Sequence, residues 1–168
     1  VLNHGTMEIN EGATIYQNGH YSSLLENGYR DAGSGNQSTG YVAGINAENP
    51  TLTINGGLFT GGLNTVKNDD NGIITINNGT FTNVTQAAFQ NHNVATINGG
   101  TFDAPGYDAV LNCGVCGKTY TGGEHKLDIT NGKFKGAVTK TLGSVTITGG
   151  EFSVDPTAYL AANKVVVS

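Results

Sequence analysis

One phrase, written five times, constrains this chain more than anything else in it. "LTINGGLF" (residues 52–59), "ITINNGTF" (74–81), "ATINGGTF" (95–102), "LDITNGKF" (127–134) and "VTITGGEF" (145–152) share the frame apolar–x–Ile–polar–(Gly/Asn)–Gly–x–Phe. A weaker relative, "MEINEGATI" (7–15), begins the array. Successive phenylalanines follow at intervals of 22, 21, 32 and 18 (81−59, 102−81, 134−102, 152−134). A period near 21 with insertions and deletions between copies is the mark of a solenoid.

Helical repeats need a 3.6-residue apolar period and few glycines, and the chain has neither. A leucine-rich repeat would need a leucine frame, which is missing. Short β-branched runs separated by Gly/Asn corners predict strands instead. Ile54, Ile76, Ile97, Ile129 and Ile147 should stack as one internal column, and Phe59, Phe81, Phe102, Phe134 and Phe152 as another. Each buried side chain of this kind contributes roughly 1.5–3 kcal/mol. A second register runs through Asn27, Asn46, Asn68, Asn91 and Asn112, at intervals close to the period of the phrase. Stacked asparagines hydrogen-bond along a coil axis as a ladder. In the next copy Lys140 takes this place, so the ladder should end there.

The expected fold class is therefore all-β: a right-handed, single-stranded parallel β-helix of about six to seven rungs. The chain reads as one domain, 1–168, with repeats over 7–152 and a C-terminal cap over 153–168. In the cap, Asp155 can cap a short helix, Pro156 suits its first turn, and "TAYLAA" permits helix. Composition agrees with an ordered, turn-rich β chain. It has 26 Gly, 20 Asn and 21 Thr, and its charged residues, at 12%, fall well below the roughly 25% of an ordinary domain. The net charge of −5, with no basic stripe, argues against nucleic acid. No apolar run approaches a membrane span. The start at Val1, without initiator Met or signal peptide, reads as a segment excised from a larger protein or a chain trimmed for expression.

The repeat resembles the right-handed parallel β-helix of the pectate-lyase-like superfamily. It looks most like the Gly-Gly-x-Phe repeat β-helices in surface proteins of gut Gram-positive bacteria. The resemblance covers about residues 7–156. It implies a secreted or cell-surface location, and it does not fix an activity, because this fold hosts lyases, hydrolases, adhesins and phage spikes.

Two segments break the period: 28–40 ("GYRDAGSGNQSTG") and 113–126 ("CGVCGKTYTGGEHK"). Loops on a rigid scaffold are where binding concentrates. Arg30, Tyr29, Tyr41, Tyr107 and Tyr120 are candidate binding residues, since aromatic faces suit sugar rings; corner packing is the competing reading for the tyrosines. The two cysteines form one Cys-x-x-Cys pair. A redox dithiol would want a βαβ context that is absent. A loop-stapling disulfide suits an extracellular protein. A metal site needs about four ligands. His125 is near in sequence, and the ladder alignment sets His92 one rung from Cys113. His92, Cys113, Cys116 and His125 are thus candidate ligands for zinc, with disulfide and free thiols as the alternatives.

Catalysis has thinner support. Lyases of the resembled fold use clustered carboxylates for calcium and an Arg or Lys base, and hydrolases use converging aspartates. Here Asp69, Asp70, Asp103, Asp108 and Asp128 do not stack on adjacent rungs, and Arg30 is the only arginine. An ice-binding face would need two Thr columns. One column reads Thr53, Thr75, Thr96, Asp128, Thr146, but its partner reads Thr51, Ile73, Val94, Lys126, Ser144. Sequons at Asn36, Asn78 and Asn83 are expected by chance in so Asn- and Thr-rich a chain. The function expected is a non-catalytic display or adhesion module directed at glycans or at host or microbial surfaces. The alternatives are a fragment of a polysaccharide lyase or glycoside hydrolase and a phage tail-spike-like module.

Overall fold

The computed structural model describes residues 1–29, 49–112 and 124–167. Among these, sixteen strands follow in chain order: β1 (Leu2–Asn3), β2 (Thr6–Ile9), β3 (Thr14–Gln17), β4 (Leu25–Asn27), β5 (Thr51–Ile54), β6 (Leu58–Gly61), β7 (Asn64–Asn68), β8 (Ile73–Ile76), β9 (Thr80–Thr82), β10 (Ala87–Asn91), β11 (Val94–Ile97), β12 (Thr101–Asn112), β13 (Lys126–Ile129), β14 (Lys133–Lys140), β15 (Ser144–Ile147) and β16 (Glu151–Phe152). Their pairings are all parallel. The fold is all-β, built from parallel strands in two curled sheets.

Strands β2, β5, β8, β11, β13 and β15 make a six-stranded sheet. In it Ile9, Ile54, Ile76, Ile97, Ile129 and Ile147 stack in unbroken register. The other ten strands make the second sheet. One line of it stacks Ile15, Phe59, Phe81, Phe102, Phe134 and Phe152. The long β12 and β14 join this line to a second one, which carries the asparagines. Each copy of the phrase thus lies on the same strands of the next copy, as in a coil of stacked turns. The expected Ile and Phe columns both form, and "MEINEGATI" heads them.

The phenylalanine rings lie 4.7–5.0 Å apart with interplanar angles of 5–17°. This spacing is the strand-to-strand distance of a sheet, so the backbone sets the aromatic stack. Phe59, Phe81 and Phe102 are fully buried, as are Ile54, Ile76, Ile97, Ile129 and Ile147. Ile9, Ile15 and Phe152, at the ends of the columns, are only partly covered.

The two glycines of the phrase have different jobs. The second takes a positive φ in every copy: +112° at Gly57, +132° at Gly79, +99° at Gly100, +131° at Gly132 and +128° at Gly150. That conformation suits glycine and is costly for a side chain. The first is a matter of space. A Cβ at Gly99 would lie 2.6 Å from the Asn77 carbonyl oxygen, yet Asn78 and Asn131 occupy the same place in their own turns.

The buried asparagine ladder exists with one member changed. Asn3 donates to Asn27 (2.7 Å), Asn27 to Asn68 (2.9 Å), Asn68 to Asn91 (2.9 Å) and Asn91 to Asn112 (2.8 Å). Asn46, expected between Asn27 and Asn68, has no place there, because β4 pairs directly with β7; Asn46 itself lies outside the described residues. The interval from Asn27 to Asn46 imitates the period, but no strand enters the line between β4 and β7. Lys140 does align with Asn112, and the ladder ends there as expected, with Asn112 Nδ2 donating to the carbonyls of His125 and Leu142.

The structure adds a second ladder. Asn55 donates to Asn10, Asn77 to Asn55 and Asn98 to Asn77, at 2.8–3.0 Å on the exposed corner, and the Thr130 hydroxyl donates to Asn98. The C-terminal cap also differs from expectation. In place of a helix there is a three-residue 3-10 turn, Thr157–Tyr159. Asp155 does accept the Thr157 amide at 2.9 Å, but Leu160 turns extended and bridges in parallel to Ile147. No helix among the described residues is long and apolar enough to cross a membrane.

Candidate functional site

The ladder asparagines do more than stack. Each side-chain amide also donates to carbonyls where the chain leaves for the other sheet: Asn27 to Pro50 and Ile73, Asn68 to Gly72 and Val94, Asn91 to Asn93 and Lys126. This fixes one corner of every turn. Among the described residues, the one that follows a ladder position continues the parallel register. The amides of Gly28, Asp69, His92 and Thr141 donate to the carbonyls of Asn3, Asn27, Asn68 and Asn112.

Both interruptions of the repeat leave from this corner, one after Asn27 and one after Asn112. Asn27 and Asn112 are three ladder steps apart, about 14 Å at the usual strand spacing. The two roots therefore lie on the same side of the fold. Between them lies a buried polar surface of Lys67, Asp69, Asp70, His92, Asn93 and His125. Lys67 Nζ meets Asp69 Oδ2 at 2.6 Å, with the Asp69 side chain fully covered. Such a pair costs desolvation and holds only where its geometry is good. Asn93 bonds the Gly72 carbonyl through its Nδ2 and accepts the Glu124 amide at its Oδ1, which ties the returning chain to the corner. His125 has φ +51°, and its carbonyl accepts from Asn112 Nδ2 and from the Ser144 amide.

Of the four candidate metal ligands, the structure brings together His92 and His125. Their ring centroids are 6.5 Å apart and the rings are nearly perpendicular at 70°. Cys113 and Cys116 lie outside the described residues. Among the described residues no group of three or more His, Cys, Asp or Glu side chains is placed to hold a metal ion.

The candidate binding residues divide differently. Arg30, Tyr41 and Tyr120 lie outside the described residues. Tyr29 is a correction: it is 2% exposed, its ring stacks on His4 at 4.3 Å, and its hydroxyl donates to the His4 carbonyl. It is corner packing rather than a surface platform. Burial holds the His4 imidazole below its ordinary pKa, partly offset by a backbone hydrogen bond with Gly28. Tyr107 is partly exposed and stands on a feature of its own.

That feature follows from chain length. Asn112 follows Phe102 by ten positions, but Lys140 follows Phe134 by only six. The earlier turn bulges, with register breaks between Asp103 and Asp108, while the later turn cuts the corner at Gly136. Gly136 has φ +136°, and a Cβ there would sit 2.6 Å from the carbonyl oxygens of both Ala104 and Tyr107. The mismatch leaves a groove of about 490 Å3 lined by Thr85, Gln86, Tyr107, Asp108, Ala137 and Val154, among others. Asp108 is half-buried and accepts the Thr139 hydroxyl at 2.5 Å. Burial pushes its carboxyl above the ordinary range, and the Thr139 bond opposes that. A cavity of about 600 Å3 at the last turn lies where Ile147 and Phe152, the end of the apolar columns, meet the C-terminal tail.

No family model, curated protein or solved structure matches the chain.

Proposed function

We propose that the chain is a right-handed, single-stranded β-helix related to the pectate-lyase-like superfamily, and to the Gly-Gly-x-Phe repeat surface proteins within it. Its role is that of a non-catalytic module at the cell surface or in the secreted fraction, holding binding segments toward glycans or host or microbial surfaces. One observation carries this reading: both interruptions root at a single corner, about 14 Å apart, on a scaffold whose columns and ladder run on beneath them. A rigid frame that launches two irregular segments side by side is suited to binding. Arg30, Tyr41 and Tyr120, in or beside those segments, are the contacts proposed there; Tyr107 stands elsewhere on the frame. A glycan array and a polysaccharide-degradation assay on the same sample test it. Binding without product formation supports the module; calcium-dependent product formation would favour a lyase fragment instead.

The His92–His125 pair supports a zinc site at the Cys-x-x-Cys segment, with Cys113 and Cys116 as the other ligands. Two buried imidazoles 6.5 Å apart at the return of that segment provide half of a four-ligand set. Elemental analysis after mild purification tests it, and a preparation free of zinc that does not take up cobalt would refute it.

A further inference from the structure

The groove between the bulged turn and the short turn has a chemistry that the scaffold does not use. Its lining combines an aromatic ring (Tyr107), a carboxylate (Asp108), polar side chains (Thr85 and Gln86) and two apolar walls (Ala137 and Val154). Tyr107 is 44% exposed and Val154 49%, so both are open to an occupant. Among the described residues no lysine, arginine or histidine lines the groove. The cation nearest in sequence on the short turn, Lys135, is committed to Asp103 at 2.9 Å. Among the described residues the one side-chain partner of Asp108 is Thr139, which engages Oδ1. A half-buried carboxylate therefore shares the groove with an aromatic residue, with no described cation in the groove to balance it.

We propose that this groove binds a primary ammonium group carried on an alkyl chain, the chemistry of a lysine side chain. The ammonium would lie against the Asp108 carboxylate and the Tyr107 ring, where ionic and cation–π attraction reinforce each other. The alkyl stem would run along Ala137 and Val154. The chain's net charge of −5 favours approach of a cation. A saccharide could use Tyr107 but would gain nothing from the missing counter-charge. The site is separate from the corner where the interruptions root, and it stands or falls independently of glycan binding there.

The test is an NMR titration of the isotope-labelled chain with Nα-acetyl-lysine methylamide and with n-butylammonium. The neutral controls are the Nε-acetylated lysine derivative and methyl glucoside. The proposal expects amide shifts at Gly106, Tyr107, Asp108 and Ala137 with both ammonium probes and with neither control. The lysine derivative binding tighter would assign the site to a peptide; equal binding would assign it to the ammonium itself. Asp108→Asn keeps an acceptor for Thr139 and should weaken binding roughly tenfold or more. Tyr107→Ala should weaken it about threefold. Equal shifts from the neutral lysine derivative, unchanged affinity in Asp108→Asn, or groove shifts with methyl glucoside alone would overturn the proposal. If Asp108→Asn alters the spectrum beyond the groove, Tyr107→Ala and the neutral controls still decide.

Discussion

Replacing Asn68 with Asp exchanges one NH2 for an oxygen, and the structure makes this among the costliest changes of its size. Asn68 Nδ2 donates to Asn91 Oδ1 at 2.9 Å, to the Gly72 carbonyl at 2.9 Å and to the Val94 carbonyl at 3.0 Å. Its Oδ1 accepts from Asn27 at 2.9 Å, and the residue is fully buried. An ionised Asp keeps the accepted bond and loses both N–H donors, which three acceptors share. At about 1 kcal/mol net per donor, that loss is about 2 kcal/mol, and orphaned buried acceptors facing a carboxylate add to it. The expected destabilisation at neutral pH is therefore about 3–5 kcal/mol. It should shrink on acidification, because a protonated carboxyl recovers one donor. Asn77 on the outer ladder is the control. It donates once, at 2.8 Å, accepts once, at 3.0 Å, and both bonds are exposed. Asn77→Asp should cost under about 1 kcal/mol, since exposed partners turn to water. Urea denaturation of both variants, followed by circular dichroism at matched pH, gives the comparison. Equal losses, or an Asn68→Asp variant within about 1 kcal/mol of the parent chain, would refute the view that the buried ladder ties the corners together.

Phe102, stacked between Phe81 and Phe134 at 4.9 and 5.0 Å, should cost about 3–5 kcal/mol on truncation to Ala, read as a lowered denaturation midpoint. Gly79→Ala, at φ +132°, should destabilise by at least ~1 kcal/mol in the same denaturation measurement. The His4 imidazole, held low by burial, binds protons less readily folded than unfolded. Stability should therefore fall as pH drops below about 6.5, and His4→Phe should flatten that slope in thermal melts. For Asp108 the sign reverses. Its raised pKa makes the folded state the stronger proton binder, so its contribution is largest in acid and is lost as pH rises through the folded pKa. Asp108→Asn should be neutral or stabilising at pH 7 in thermal melts.

The repeated phrase makes the apolar columns legible, because Ile and Phe recur at fixed places within it and a parallel register keeps them aligned. Asn27, Asn68, Asn91 and Asn112 are legible for the same reason. Asn46 misleads because its distance from Asn27 happens to match one turn, although no strand joins the line between them. Asn3 escapes the pattern because it precedes the first full copy of the phrase. The outer ladder of Asn55, Asn77 and Asn98 is written in the "IN" of the phrase, but a frame that reduces that position to "polar" hides it. The burial of Tyr29 cannot be read, since a tyrosine beside an irregular stretch carries no periodic signal. The groove leaves its trace only as a difference between two intervals, Phe102 to Asn112 and Phe134 to Lys140. The shared origin of the two interruptions needs the ladder, because Gly28 and Asn112 are far apart in the chain and only the stacked turns bring them to one corner.

The most direct test of the account is a glycan array read with three proteins: the full chain, a variant with residues 30–48 replaced by a Gly-Ser linker, and one with residues 114–123 replaced likewise. The substitutions spare Tyr29, Asn112, Glu124 and His125, whose backbone and side-chain bonds hold the corner. The account predicts glycan binding by the full chain that is lost or sharply reduced in at least one variant, with the thermal melt of that variant unchanged. Binding that persists undiminished in both, or none by the full chain, would contradict it.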